Sequence, residues 1–368
     1  MIKVFYGPNK EFVKIIPSNI RPKSLTQLVE KHDINSRKII VTENSRDIIK
    51  TTKSTISNLV IKSHEYSMLT NSGFNSFISI FNNYNINNLY VQNPPNIILR
   101  QLSDLDKDIE IIEHDYNDFE NSHVKKFNDN YDKNIFGQNI AKDKILTHLY
   151  QLSNGYNNEK PLVLLFYGPT GVGKTETAKY LSNLLGENLF RKQLSMYHSS
   201  EFGNYVFGGN HSESSLARDL LERESNVILF DEFDKANSFF YSAFYQMFDE
   251  GVFEDKNYKV NLKNSIIICT SNFLNIYDIK DTLGDAIYSR IDSTVEFKPL
   301  DHYSVEKLIK LNVESIYSQL KENDKNKINK YEVESKLLKY SKHFNNSRKI
   351  SKFVKDYIFS DIINITYS

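Results

Sequence analysis

Two spacings of apolar residues alternate through the middle of this 368-residue chain. Leu162–Phe166, Val227–Phe230 and Ser265–Cys269 are short, continuous apolar runs, the pattern of strands buried on both faces of a parallel sheet covered by helices. Thr177, Ala178, Tyr180, Leu181, Leu184 and Leu185 follow the first run at helical spacing. Beyond Leu300 only the helical spacing remains, at Val305, Leu308, Ile309, Leu311 and Ile316. The pattern predicts an α/β domain over 135–300, a parallel sheet sandwiched by helices, and a helical lid over 301–368.

The first 116 residues read as a separate small α/β domain. Ile2–Tyr6 and Phe12–Ile16 flank Gly7-Pro8-Asn9-Lys10, which predicts a β-hairpin. Ser24 can cap a helix through Lys31. Short strands are expected at Lys38–Thr42, Asn58–Ile61, Asn88–Val91 and Asp108–Glu113, with helices at Asn75–Asn83 and Asn96–Ser103. The polar stretch 117–134 reads as a linker.

Composition narrows the function classes. Lys and Arg total 46, as do Asp and Glu, so the formal net charge is +0. A globally basic nucleic-acid surface is not indicated. The single cysteine, Cys269, excludes an internal disulfide framework and sits in an apolar run, where it reads as a core residue. No apolar segment reaches membrane-spanning length and no secretory signal is visible at the N-terminus. These features fit a cytoplasmic protein with no membrane partner.

The chemistry is concentrated in Gly168-Pro169-Thr170-Gly171-Val172-Gly173-Lys174-Thr175-Glu176, between the first strand and its helix. A strand, Gly-x4-Gly-Lys-Thr and a helix make a P-loop. The glycines let successive backbone N–H groups converge on an oxyanion, and the helix N-terminus adds its positive dipole end. Lys174 would face the β and γ phosphates of ATP, and Thr175 would offer a hydroxyl to Mg²⁺. The second strand ends in Asp231-Glu232, a Walker B pattern. Asp231 would hold Mg²⁺ and Glu232 would polarise the attacking water. The third strand ends in Thr270-Ser271-Asn272. Asn272 can hydrogen-bond water and γ-phosphate, although an Asn in a plain turn reads the same way. The histidines show no paired metal-ligand spacing, so Mg²⁺ with nucleotide is the expected metal.

These pieces resemble the AAA+ ATPases of the Clp unfoldase group, in particular the C-terminal ATPase module of Clp disaggregases, over Ile135 to about Tyr357. Ile135-Phe136-Gly137-Gln138 resembles the segment that packs on the adenine, with Phe136 in the cofactor set. Ile228 to Ala236 resembles the family's Walker B. Phe248-Asp249-Glu250-Gly251 and Asn264 to Asn272 resemble the run into sensor 1. Ser289-Arg290-Ile291-Asp292 resembles the arginine-finger segment, which implies that Arg290 reaches a neighbouring subunit's site. Asn346-Ser347-Arg348 stands where the family has Gly-Ala-Arg, which implies a sensor 2 role for Arg348. Read alone, Arg290 also suits a surface ion pair and Arg348 a helix-capping cation. The resemblance implies a homo-oligomeric ring, usually a hexamer.

Gly203-Asn204-Tyr205-Val206-Phe207-Gly208-Gly209 matches the family's pore-loop region, with Tyr205 or Phe207 as the gripping aromatic beside Val206. Aromatics tucked against a sheet edge are the alternative. The stretch from Asn272 to Arg290 lacks the tripeptide that docks Clp unfoldases on their peptidase, so no Clp peptidase partner is expected. The leading expectation is an ATP-hydrolysing remodeller of protein substrates, selected through the N-terminal domain directly or by an adaptor. An ATP-dependent assembly switch or scaffold in a defence or signalling complex is the runner-up. A nucleic-acid motor is third.

Overall fold

The computed structural model describes residues 1–30, 53–82, 84–105, 108–196 and 199–367. It divides into two compact units. One comprises Met1–Tyr116, Tyr197–Glu224 and Val252–Leu262; the other comprises Asn117–Met196, Ser225–Gly251 and Lys263–Ser368. Among the described residues no helix is long and apolar enough to cross a membrane.

The first unit is built on five strands: β1 (Ile2–Tyr6), β2 (Lys23–Ser24), β3 (Ser54–Ile61), β4 (Tyr84–Gln92) and β5 (Ile109–Glu113). Their order is β2-β3-β4-β1-β5, and every pairing is parallel. The expected hairpin is absent. β1 runs into a helix, Asn9–Ile15. Both edges of β1 are already paired, with β4 and β5, so Phe12–Ile16 has no strand edge to join. Phe12 instead turns inward beside Phe5. Ser24 does cap a helix, which is described over residues 25–30: its Oγ accepts from Gln27 N at 3.3 Å. The strand expected at Lys38–Thr42 lies outside the described residues. The helix Asn96–Ser103 forms as expected, whereas Asn75–Asn83 resolves into a short helix, Asn71–Asn75, and a 3-10 turn, Phe77–Phe81.

The second unit carries β6 (Leu162–Tyr167), β7 (Phe190–Gln193), β8 (Val227–Asp231), β11 (Ile266–Thr270) and β12 (Ser293–Glu296) in the order β12-β6-β11-β8-β7. All pairings are parallel. The three apolar runs are therefore the three central strands, fully buried as their composition requires. Cys269 is buried in β11, and burial pushes its thiol pKa up. The remaining short strands, β9 (Val252–Glu254) and β10 (Lys259–Asn261), form an antiparallel pair in the first unit.

The stretch read as a linker is instead a helix, Asn121–Asn134. Its few apolar residues, Val124, Phe127 and Tyr131, recur at i, i+3 and i+7 and are buried in the core of the sheet domain. After Leu300 the chain is helical. His302–Gln319, Lys330–Leu338 and Ser347–Tyr367 enclose their own cluster, including Val305, Ile309, Val313, Leu337, Ile350 and Val354. Leu311 falls off that face and is exposed.

Candidate functional site

The P-loop leaves the end of β6, the strand between β11 and β12. Gly168 has φ +130°, and a Cβ there would lie 2.1 Å from the carbonyl oxygen of Phe297. Gly171 has φ +73°, and its Cβ would lie 2.3 Å from Asn346 Oδ1. Both positions demand glycine for left-handed backbone and for close approach. The helix Lys174–Leu184 begins directly after Gly173, which leaves its first N–H groups aimed at the loop.

Lys174 is buried. Its Nζ donates to Gly168 O at 2.6 Å, Pro169 O at 2.8 Å and Asn272 Oδ1 at 3.2 Å. Burial pushes its pKa down to about 8 against the pull of Asp231 and Asp234, and the charge of Arg348 pushes the same way. The loop carbonyls are weak partners for a buried ammonium, so an incoming polyphosphate meets a cation short of counter-charge. Lys174→Ala is expected to weaken nucleotide binding by at least about 100-fold, the scale of truncating a desolvated charge partner. Titration with a fluorescent ATP analogue measures this, and affinity within fivefold of wild type would contradict it.

Asp231 and Glu232 end β8. Asp231 Oδ1 accepts from Thr270 Oγ1 at 2.5 Å, and Oδ2 accepts from Arg191 Nε at 3.0 Å and Nη2 at 2.5 Å. Glu232 has φ +56°. Its N–H donates to Thr270 Oγ1 at 2.9 Å, and its carboxylate accepts from Gln193 Nε2 at 3.0 Å and from the Ser195 hydroxyl. Asp234 adds a third carboxylate. It is buried and ion-paired with Lys235 Nζ at 3.4 Å, and its oxygens accept no hydrogen bond among the described residues. Among the described residues no group of three His, Cys, Asp or Glu side chains forms a metal cage. The donors gathered here are carboxylate and hydroxyl oxygens, which suits Mg²⁺ carried largely by phosphates and water.

The other sequence-predicted residues are placed as follows. Asn272 joins the site through Lys174. Arg348 is exposed at the start of the lid helix Ser347–Tyr367. Phe136 is buried, with Lys307 Nζ 4.4 Å above its ring. Glu176 is turned to solvent and ion-paired with Lys179 at 2.9 Å. Arg290 bonds Asp249 Oδ2 through Nε at 2.7 Å and lies 4.3 Å over the Tyr245 ring. The pore-loop expectation requires correction. Ser199–Phe207 is a helix in the first unit, and Phe202, Tyr205 and Val206 share its buried face at i, i+3 and i+4. Tyr205 OH donates to Asp219 at 2.7 Å, and of Tyr205, Val206 and Phe207 only Phe207 is exposed.

Several contributors were not foreseen. Gln138 Nε2 ties Val172 O (3.2 Å) to Lys298 O (2.9 Å), fastening the loop to the end of β12. Asn346 Nδ2 donates to Thr170 O at 2.6 Å while its Oδ1 caps the lid helix at Arg348 N, 2.9 Å. Arg191, Gln193 and Ser195 bracket the acidic pair from β7 and the turn after it. Their polarity was visible in the sequence, but nothing there fixed the register of β7 against β8.

A P-loop on an inner strand of an all-parallel sheet, two carboxylates ending β8, an asparagine within reach of the P-loop lysine and a helical lid together define a P-loop ATPase domain of the AAA+ class. Residues 159–331 match the family model of the AAA domain (Cdc48 subfamily). Three relatives are the chaperone proteins ClpB of Chlamydia pneumoniae, Clostridium tetani and Prochlorococcus marinus, which are 31%, 29% and 31% identical over 52%, 55% and 58% of this chain. The matched segments cover 26%, 27% and 26% of those proteins, so the chain spans about a quarter of the length of the relatives it matches. Residues 159–331 are thus similar to the AAA+ ATPase domains of Clp-type proteins.

Proposed function

We propose that this protein hydrolyses ATP at sites shared between neighbouring copies of itself, in a ring that is usually hexameric, and uses the cycle to remodel a protein partner. The observation that carries the reading is the convergence of Lys174, Asn272, Asp231 and Glu232 at the carboxyl ends of β6, β11 and β8.

The roles follow from charge and geometry. The P-loop N–H groups and Lys174 bind the phosphates, and Asn272 orients Lys174 and the γ-phosphate. Glu232 takes the proton of the attacking water at its carboxylate oxygen. Mg²⁺ bound with the nucleotide, held by Thr175 and Asp231, would neutralise phosphate charge. Arg348 adds positive charge from the lid, whose Asn346 and Ser347 bond the P-loop carbonyls of Thr170 and Gly171. Phe136 offers an apolar face to the base. Arg290 is the cation supplied to a neighbour. The N-terminal unit selects the protein partner or adaptor.

The burial of Tyr205 and Val206 favours a second reading, in which ATP drives assembly of a scaffold and nothing is threaded. Phe207→Ala separates the two. Threading through this segment predicts loss of tagged-substrate unfolding with basal ATPase intact, because only Phe207 is exposed to grip. Full biological activity in Phe207→Ala would favour the switch. Tyr205→Phe, which removes the bond to Asp219 and keeps the ring, controls for disturbance of the helix.

A further inference from the structure

Arg191 lies on β7, the edge strand beside β8, in register with Leu229. Its side chain is 41% exposed, whereas that of Asp231 is 11% exposed. Two guanidinium donors, Nε and Nη2, converge on a single carboxylate oxygen, Asp231 Oδ2. The other oxygen is held by the neutral Thr270 hydroxyl. A carboxylate this deeply buried needs a counter-charge, and Arg191 supplies it on the oxygen that Thr270 leaves to a cation. One end of the pair is fixed in the core, and the other is a long side chain with a path to solvent.

We propose that Arg191 is the resident counter-ion of Asp231, and that a divalent cation reaches this carboxylate only by displacing the guanidinium. Arg191 is thereby a positioning residue that sets the metal dependence of nucleotide binding. This rests on the reading above, in which Asp231 faces the Mg²⁺ of the nucleotide. Without metal, Arg191 keeps Asp231 neutralised and oriented by two charge-assisted hydrogen bonds. With metal, those bonds are exchanged for a cation–carboxylate contact, direct or through water, and the guanidinium moves outward to solvent. No covalent step is involved. The cost of breaking the pair is subtracted from metal affinity, so the site responds to Mg²⁺ at a higher concentration than the carboxylate alone would dictate.

The test titrates Mg²⁺ into the full-length protein with a fixed, subsaturating fluorescent ATP analogue and reads the midpoint of metal-dependent binding. Arg191→Gln removes the competing charge and is expected to lower that midpoint roughly tenfold, the scale of one hydrogen bond to a charged group. Arg191→Lys keeps the charge but replaces the two-nitrogen fork by a single ammonium, and its midpoint is expected to fall between those of Arg191→Gln and wild type. It also keeps the test open if Arg191→Gln does not fold. Lys192→Gln removes one positive charge from the neighbouring position of β7 and is expected to leave the midpoint unchanged. A midpoint for Arg191→Gln within twofold of wild type would overturn the proposal, as would an equal shift in Lys192→Gln, because the effect would then be a general field. Failure of the wild-type protein to bind the analogue at any Mg²⁺ concentration would sink the ATPase reading instead.

Discussion

Glu232→Gln is expected to bind ATP with near wild-type affinity and to hydrolyse it about 10²–10⁴-fold more slowly, the range a positioned general base contributes. The substitution is nearly isosteric. The backbone N–H of residue 232 still reaches Thr270 Oγ1, and the new amide oxygen can still accept from Gln193 and Ser195. What disappears is the proton acceptor. Single-turnover phosphate release, measured beside equilibrium nucleotide binding, separates the two effects. Retention of more than a tenth of wild-type turnover would remove Glu232 from the chemistry. The same variant would hold the ATP-bound assembly long enough to capture its protein partner.

Arg290→Ala is expected to lower turnover by about 10³–10⁵, the range for an arginine supplied in trans to a transferring phosphoryl group, and to leave binding of ATP by its own protomer intact. Within one protomer the guanidinium is occupied: Nε bonds Asp249, Nη1 bonds Ala286 O at 2.5 Å, and the plane lies over Tyr245. These groups fix the side chain at 28% exposure. An ordinary ion pair of this exposure contributes at most about 1 kcal/mol to stability. The melting temperature of Arg290→Ala should therefore move little while turnover collapses. Preserved turnover with a small change in melting temperature would mark Arg290 as a surface ion pair, the other reading its sequence context allowed.

The parts legible in the sequence are those whose geometry is fixed by neighbours along the chain. Gly168 to Thr175 dictates a strand–loop–helix by itself, and the runs at 162, 227 and 265 became central strands because no helical period fits them. Ser24 and the helix Asn96–Ser103 were legible for the same local reason. The hairpin at Gly7 failed because the partners of β1 lie near residues 89 and 109, and turn chemistry cannot report them. The linker reading of 117–134 failed because Phe127 and Tyr131 bury a helix whose other faces are polar. The pore-loop reading of Tyr205 rests on the match to the family's glycine-flanked segment, and such a match carries no information on the helical spacing of Phe202, Tyr205 and Val206. The bond from Arg191 to Asp231 depends on the register of two strands, which no motif encodes.

In the proposed function each ATP is cleaved with Lys174 and Glu232 from one protomer and Arg290 from the next. Mixing Arg290→Ala with Glu232→Gln under conditions where protomers demonstrably exchange tests it most directly. In mixed assemblies some interfaces pair an intact Glu232 with an intact Arg290, and turnover should reappear although each variant alone is inactive. A mixture that exchanges subunits and stays as inactive as its components would contradict the account.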